Sequence, residues 1–221
     1  MKTKNIIKEA VPLLFISWAI IFGVAVFMAP CVPDQLPSHW NAQGQVDGYT
    51  SKPLAVFLFL GLIMAFYVLL MFLPRFDPFK KNYQQFAGAY YWLRLMMTGF
   101  LVALYIIFLL AASGHLSNIP KATISLIALL FVGMGFLMPK IKRNYFIGIR
   151  TPWTLQSDEV WAKTHKLGGW CFVIAGALCF LTIWLEAWFS SLMFIAIILV
   201  AALLPIIYSY VAYKKLGLFK N

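Results

Sequence analysis

The sequence predicts an all-α, polytopic integral membrane protein with six transmembrane helices and both termini in the cytoplasm. Three observations lead to this prediction. Apolar residues make up 62% of the 221 residues and charged residues only 11%. A soluble domain carries about 45–50% apolar residues and about 25% charged residues. Six apolar runs are long enough, with some tilt, to cross a hydrocarbon layer of ~30 Å. Basic residues alternate between successive connections, as they do when cytoplasmic loops retain them.

The six apolar runs define the expected spans. Hydrocarbon offers no hydrogen-bond partner to a backbone N–H or C=O, so an isolated run satisfies these groups only as a helix. The first run is longer than the apolar core of a signal peptide, and we expect it to be retained. The chain is then one membrane domain with an N-terminal half, 1–113, and a C-terminal half, 114–221. The runs are Val11–Pro30, Leu54–Leu73, Leu95–Ser113, Ala122–Met138, Trp170–Trp188 and Leu192–Tyr213.

The distribution of charge predicts the orientation. All but two of the 18 Lys and Arg residues fall at the termini or in the second and fourth connections, and the exceptions are Lys52 and Lys121. This bias predicts that both termini lie on the cytoplasmic side of the membrane. The basic residues beside the spans also account for the net charge of +11, and we expect them to contact membrane lipids. We therefore expect no direct contact with nucleic acid.

The runs contain little that could carry chemistry. No ionisable residue falls in the middle of a run, and Arg94 and Glu186 lie near run ends, where we expect them to reach water. This pattern disfavours ion-coupled transport. No catalytic or metal-ligand motif is present, so we expect no enzyme, no cofactor and no resident metal. Several glycines are expected to let helices approach closely; they are Gly61, Gly99, Gly133, Gly135 and Gly176.

The first connection, Cys31–Pro53, is too long and too patterned for a simple turn. Its prolines prevent a long helix, and turn-forming residues divide it. We expect a compact lid on the outer face, with Trp40 turned toward the membrane interface. The turn-forming residues are Asn41, Gly44, Asp47 and Gly48.

Three roles stay open for this outer loop: a structural lid, a surface that recognises a ligand or peptide, or a metal site. The metal site requires His39, Asp34 and Asp47 to converge, and their spacing matches no common ligand pattern closely. The candidate binding residues of the outer loop are His39, Trp40, Asn41, Gly44, Asp47 and Gly48.

The fourth connection, Pro139–Gly169, carries the second candidate site. Its first basic residues are interpreted as a signal that sets the orientation of the chain and as a group attracted to anionic lipid. Thr151 precedes a proline and is expected to be extended. Ser157 is expected to cap a helix that has Asp158 and Glu159 in its first turn. The first basic residues are Lys140, Lys142 and Arg143.

Beyond this cap, apolar residues recur at helical spacing, which predicts a short amphipathic helix on the membrane surface. Trp161 and His165 are four residues apart and share a face, and Gly168 and Gly169 are expected to bend the chain into the fifth span. His165 has two interpretations. It is either a proton relay or ligand-binding residue, or a histidine that is hydrogen-bonded at the helix edge or exposed to water.

Arg150 has two interpretations as well. It forms an ion pair with Asp158 or Glu159 that fixes the loop, or it contacts a partner directly. The candidate partner-binding residues of the inner loop are Arg143, Asn144, Gly148, Arg150, Trp153, Trp161 and His165.

Two motifs resemble known families. The outer segment from Leu36 to Lys52, with LPxHWN followed by GxxDGY and SK, resembles an N-terminal domain of unknown function in bacterial membrane proteins. The inner segment NYFIGIRTPWTL at 144–155, followed by VWAKTH at 160–165, resembles the SdpI family. With six expected spans around both motifs, the resemblance covers most of the chain.

The SdpI family is named for an immunity protein against a secreted killing peptide, the Sdp toxin. The resemblance therefore implies a membrane protein that protects the producing cell from such a toxin. It also implies capture of a cytoplasmic transcriptional repressor at the membrane when toxin is present. The oligomeric state stays open.

Two other functions remain as alternatives. Six spans with small residues and a proline at Pro205 suggest a small-molecule or lipid transporter, which the lack of charges in the middle of the runs disfavours. An enzyme acting at one face would need His39 and Asp47, or His165, as acid–base groups. This last hypothesis rests on single histidines.

Overall fold

The computed structural model describes residues 32–41 and 45–218 and, before them, residues 15, 18–19, 22–23, 26–27 and 30. The predicted first span, Val11–Pro30, lies for the most part outside the described residues. Gly44 and the side chain of Trp40 lie outside them as well.

Two strands and six helices make up the described part of the chain. Strand β1 spans Gln35–Trp40, strand β2 spans Val46–Ser51, and the short helix α4 spans Pro152–Gln156. The long helices are α1 (Phe59–Phe76), α2 (Ala87–Ala112), α3 (Ile119–Leu137), α5 (Asp158–Thr182) and α6 (Ala187–Lys215). A π-helical turn, Leu54–Leu58, leads into α1, and the 3₁₀ turns Asn82–Phe86 and Met138–Lys140 precede α2 and follow α3.

The five long helices, taken with their adjoining turns, are long and apolar enough to cross a membrane. They correspond to the second through sixth predicted runs, so the described part is that of a polytopic helical membrane protein. A span at the first run, which would make six in all, and the side on which the termini lie stay predictions. The candidate spans are Leu54–Phe76, Asn82–Ala112, Ile119–Lys140, Asp158–Thr182 and Trp188–Lys215.

The fold is mostly helical, as predicted, but the outer connection forms an antiparallel β-hairpin where the sequence predicts only turns. Gln35 pairs with Ser51 and Leu36 with Thr50, while Asn41 closes the turn by accepting a hydrogen bond from the Gln45 N–H at 2.9 Å. Asp47 and Gly48, expected in a turn, lie within β2 instead. We call residues 35–51 the outer hairpin.

The outer hairpin is held by its root. Leu36 is fully buried and packs with Val32, Ala55 and Ala112, close to the start of α1 and the end of α2. Lys52 donates a hydrogen bond from Nζ to the Val32 carbonyl oxygen at 2.9 Å. These contacts fix the outer hairpin at one end of the α1–α2 pair.

Helix α5 corrects the expected short amphipathic helix in the fourth connection. The residues after Ser157 are the first turns of one continuous helix that runs to Thr182 without a break at Gly168 and Gly169. A Cβ on Gly169 would lie 2.7 Å from the Gly135 carbonyl oxygen, so Gly169 permits a close crossing of α3 and α5, whereas a Cβ on Gly168 would meet the Ile149 and Met138 side chains.

The glycines expected at helix contacts divide into two groups. A Cβ on Gly135 would lie 2.6 Å from the Gly169 oxygen, one on Gly176 would lie 2.6 Å from the Ala128 oxygen, and one on Gly133 would collide with the Met96 sulfur. Gly61 and Gly99 have no described atom within 4 Å of that position. The expectation is wrong for these two glycines in the part of the chain that the structure describes.

Arg94 corrects another expectation. The sequence places it near a run end, where its long side chain would reach water, but in the structure it is 1% exposed. The helix begins earlier than the apolar run, at Ala87, so Arg94 lies two turns inside α2. A buried charge therefore does lie within a candidate span, and transport is less strongly disfavoured than the sequence predicts.

Candidate functional site

Asn144 organises the inner connection between α3 and α4. Its side chain is fully buried, and its Oδ1 accepts hydrogen bonds from the N–H groups of Phe146 at 2.9 Å and Ile147 at 2.7 Å. Its Nδ2 donates to the carbonyl oxygens of Lys142 at 2.9 Å and Ile147 at 3.0 Å. One side chain thus satisfies four backbone groups and fixes a tight loop.

Asp77, which the sequence reasoning missed, attaches this loop to the connection between α1 and α2. Its carboxylate is 2% exposed and accepts hydrogen bonds from the Phe79 N–H at 2.7 Å, the Tyr83 hydroxyl at 2.9 Å and the Tyr145 N–H at 2.9 Å. A signal was present in the sequence, because Asp77 is the one acidic residue in an otherwise basic connection.

The two inner connections are docked on each other. Asn82 donates from Nδ2 to the Arg143 carbonyl oxygen at 2.8 Å, and the rings of Phe79 and Tyr145 stack with centroids 5.2 Å apart. The Arg143 guanidinium lies 4.7 Å from the centre of the Phe79 ring. We call residues 77–86 and 139–157 together the inner platform.

The ion pair at the start of α5 differs from the expected one. Arg143, not Arg150, pairs with Asp158, with 2.9 Å between Nε and Oδ1, and Arg143 also donates from Nη1 to the Leu155 oxygen at 3.0 Å. Arg150 donates to the Tyr145 carbonyl oxygen at 2.6 Å, and Glu159 pairs with Lys163. Helix α4 reverses the direction of the chain, so Arg143, which is farther from Asp158 in sequence than Arg150 is, lies at the start of α5.

His165 is a buried structural residue in this conformation. Its Nε2 accepts a hydrogen bond from the Ile149 N–H at 3.0 Å, and its Nδ1 donates to the Trp161 carbonyl oxygen at 2.9 Å. As expected for residues four apart, the rings of Trp161 and His165 stack, with centroids 4.0 Å apart. Both ring nitrogens are occupied by backbone groups, which matches the hydrogen-bonded interpretation rather than the relay.

Gly148 is required where His165 meets the loop. Its φ of +105° lies in a region that L side chains rarely adopt, and a Cβ at this position would overlap His165 Nε2. Trp161 completes the contact by donating from its indole N–H to the Ile141 oxygen at 2.8 Å. The loop from 141 to 149 is therefore bonded to α5 at two points.

The segment around Pro152 joins the inner platform to α6. Thr151 is extended, as expected before a proline, and forms a capping box with Thr154 at the start of α4. The Thr151 and Ser209 hydroxyls lie 3.0 Å apart, and the Trp153 ring packs edge-on against Tyr210, with centroids 5.2 Å apart. Ser157 caps α5 as expected.

The outer hairpin carries a second, smaller cluster. His39 Nδ1 lies 2.5 Å from Asp47 Oδ1, and both side chains are largely exposed. Gly48 lies opposite His39 in the ladder, where a Cβ would come within 3.1 Å of the His39 Cβ. Among the described residues, no three His, Cys, Asp or Glu side chains are grouped as metal ligands, so Asp34 does not complete a site with this pair.

The two candidate sites lie at opposite ends of the same helices. The outer hairpin packs at Ala55 and Ala112, whereas the inner platform begins at Asp77, after α1, and leads through Tyr83 into α2. The helical segment from Leu54 to Phe76, 23 residues long, separates these ends by about 34 Å at ~1.5 Å per residue. This length is enough to cross a bilayer core of ~30 Å.

Comparisons with known proteins agree with the two motifs. Residues 140–209 match the SdpI/YfhL protein family, and residues 16–64 match a domain of unknown function, DUF1648. The chain is 26% identical over 199 residues, 89% of its length and 92% of the relative's, to a protein named Immunity protein SdpI from Bacillus subtilis (strain 168). No solved structure is significantly similar to the chain.

Proposed function

We propose that this chain is an integral membrane immunity protein, which protects a bacterium against a secreted antimicrobial peptide toxin. The proposal starts from the match to the SdpI/YfhL protein family. The observation that carries the proposal is the similarity to an immunity protein along 89% of the chain. A binding role, rather than catalysis, fits a chain whose buried histidine has both ring nitrogens bonded to backbone groups.

The outer hairpin is the proposed toxin-facing surface. It presents the His39–Asp47 pair to solvent, and Leu36 anchors it beside α1 and α2. A membrane-active peptide that arrives from outside would meet this hairpin before the spans. In this proposal the N-terminal half, 1–113, recognises the toxin, and the other hairpin candidates, Trp40, Asn41, Gly44 and Gly48, contribute to the same surface.

The inner platform is the proposed signalling surface, with both termini on its side of the cytoplasmic membrane. Basic and aromatic side chains are exposed there together: Lys142, Tyr145, Phe146 and Arg150. A cytoplasmic repressor would bind this face when toxin occupies the outer hairpin. Such coupling requires two arrangements of the protein that bind the toxin unequally, because a ligand shifts only an equilibrium whose states it distinguishes.

Protection is tested by expression in a sensitive cell. We expect the intact chain to raise survival against at least one secreted membrane-active peptide in a panel that includes the Sdp toxin. His39→Ala should lower the highest toxin concentration that the cells survive about tenfold, as a loss of about 1.4 kcal/mol of binding free energy would. Ser38→Ala, at the neighbouring exposed position, is the matched control and should protect fully. Unchanged killing across the whole panel, at normal protein levels, would count decisively against immunity.

A small-molecule or lipid transporter is the second candidate. The observation that favours it is the buried Arg94 within α2, because buried charges in spans commonly mark substrate paths. Flux into proteoliposomes that contain the intact protein separates the two functions. Substrate-dependent flux supports transport, and survival without flux supports immunity.

A further inference from the structure

Arg94 is a buried cation without a hydrogen-bond partner in the described residues. It lies in α2 and is 1% exposed. None of its three side-chain nitrogens, Nε, Nη1 and Nη2, has an acceptor within the described part of the chain. A guanidinium stays protonated in proteins and carries five N–H donors, so it cannot resolve this situation by becoming neutral. A buried charge without hydrogen-bond partners is among the most costly features a protein can contain.

The surroundings of Arg94 add further donors. Thr98, one helical turn along the same face, is 7% exposed, and its hydroxyl has no described partner. The indole N–H of Trp18 is also buried without a described partner, and Trp18 packs against Tyr67. The Arg94 guanidinium lies 6.0 Å from the centre of the Tyr67 ring. Arg94 on α2 and Trp18 in the first run thus both lie beside Tyr67.

The acidic residues that the structure describes are engaged or placed elsewhere. Asp77 accepts three hydrogen bonds within the inner platform. Asp47, Asp158 and Glu159 pair with His39, Arg143 and Lys163, and Asp34 and Glu186 are exposed beyond the far ends of the helices. Of the 7 acidic residues in the chain, only Glu9 lies outside the described residues.

We propose that Arg94 anchors a buried binding site for a compact anion, a halide such as chloride or a carboxylate. The guanidinium fork supplies the charge and parallel N–H donors that such a group accepts, and Thr98 and Trp18 supply further donors. The rings of Tyr67 and Tyr90 lie close to the guanidinium, at 6.0 Å and 5.3 Å from its carbon.

Anion-dependent unfolding of the full-length protein tests this site. The protein in phosphatidylcholine nanodiscs is melted in sodium chloride, sodium formate and sodium gluconate at equal ionic strength. A ligand about fivefold above its Kd raises Tm by about 2–4 °C for a chain of this size. We expect that rise in chloride, formate or both, relative to gluconate. A response to chloride alone identifies a free halide as the ligand, and a response to formate alone identifies a carboxylate.

Two variants locate the response. Arg94→Met should abolish it and should raise Tm in gluconate, because the uncompensated charge is gone. Arg75→Met, at an exposed arginine on α1, is the control and should keep it. If Arg94→Met does not fold, the anion is located in crystals of the unaltered protein by anomalous scattering. Bromide is the probe if chloride raises Tm, and bromoacetate is the probe if only formate does. A peak at Arg94 supports the site.

Two results would overturn the proposal. The first is an equal Tm of the intact protein in all three salts; if its Glu9→Gln variant then acquires a response, the chain itself supplies the carboxylate. The second is a full anion response that persists in Arg94→Met.

Discussion

Replacing Asp77 by alanine should remove about 3 kcal/mol of stability and lower Tm by about 6–12 °C. The physical reason is that three buried donors lose their acceptor together: the N–H groups of Phe79 and Tyr145 and the hydroxyl of Tyr83. An unsatisfied buried donor costs about 1–3 kcal/mol, although water entering the gap recovers part of that sum. Thermal unfolding in nanodiscs measures the change.

Asp34→Ala is the matched control for this prediction. Its side chain is exposed, so its loss should change stability by less than about 0.5 kcal/mol. Limited proteolysis gives a local readout, because a loosened inner platform should be cut within 139–157 in Asp77→Ala and not in Asp34→Ala. Equal Tm values for the two variants would show that Asp77 does not hold the two connections together.

Gly148→Ala should destabilise the protein by roughly 3–5 kcal/mol, the second large effect that we expect. Two costs add at this position. The backbone has a φ of +105°, which an L side chain rarely adopts, and the new methyl group would overlap His165 Nε2. Relief of that overlap breaks the hydrogen bond from the Ile149 N–H to His165.

Gly114→Ala separates these two costs. Gly114 also has a positive φ, +76°, but no described atom lies within 4 Å of the position a Cβ would take. Its substitution should therefore cost only the backbone term, about 1–2 kcal/mol. If chemical or thermal unfolding showed that the two variants lose equal free energy of unfolding, the close contact between Gly148 and His165 would not contribute to the stability of the inner platform.

The spans were predictable because their signal is local and strong. Apolar runs of nearly twenty residues have no other stable arrangement in hydrocarbon, and five of them appear as helices in the described residues. The outer hairpin was missed because Leu36 is the only fully buried residue among those of β1 whose side chains the structure describes. One buried residue produces no alternating pattern from which a strand could be predicted.

The contacts of the inner platform were not predictable from spacing, because they join distant segments. Asp77 and Tyr145 are 68 residues apart, and the pairing of Arg143 with Asp158 depends on how α4 reverses the chain. Local chemistry was predicted correctly at Thr151 and Ser157, whose roles as extended or capping residues depend on their immediate neighbours. Burial of Arg94 was missed because a run boundary read from hydropathy is not a helix boundary.

The proposed function requires the outer hairpin and the inner platform to lie on opposite sides of one bilayer. The direct measurement is thiol labelling in a chain whose Cys31, Cys171 and Cys179 are changed to alanine. Ser38→Cys in the outer hairpin should react with a membrane-impermeant maleimide on intact cells. Lys142→Cys in the inner platform should react only after the membrane is opened. Labelling of both positions on intact cells, or of Lys142→Cys alone, would contradict this account.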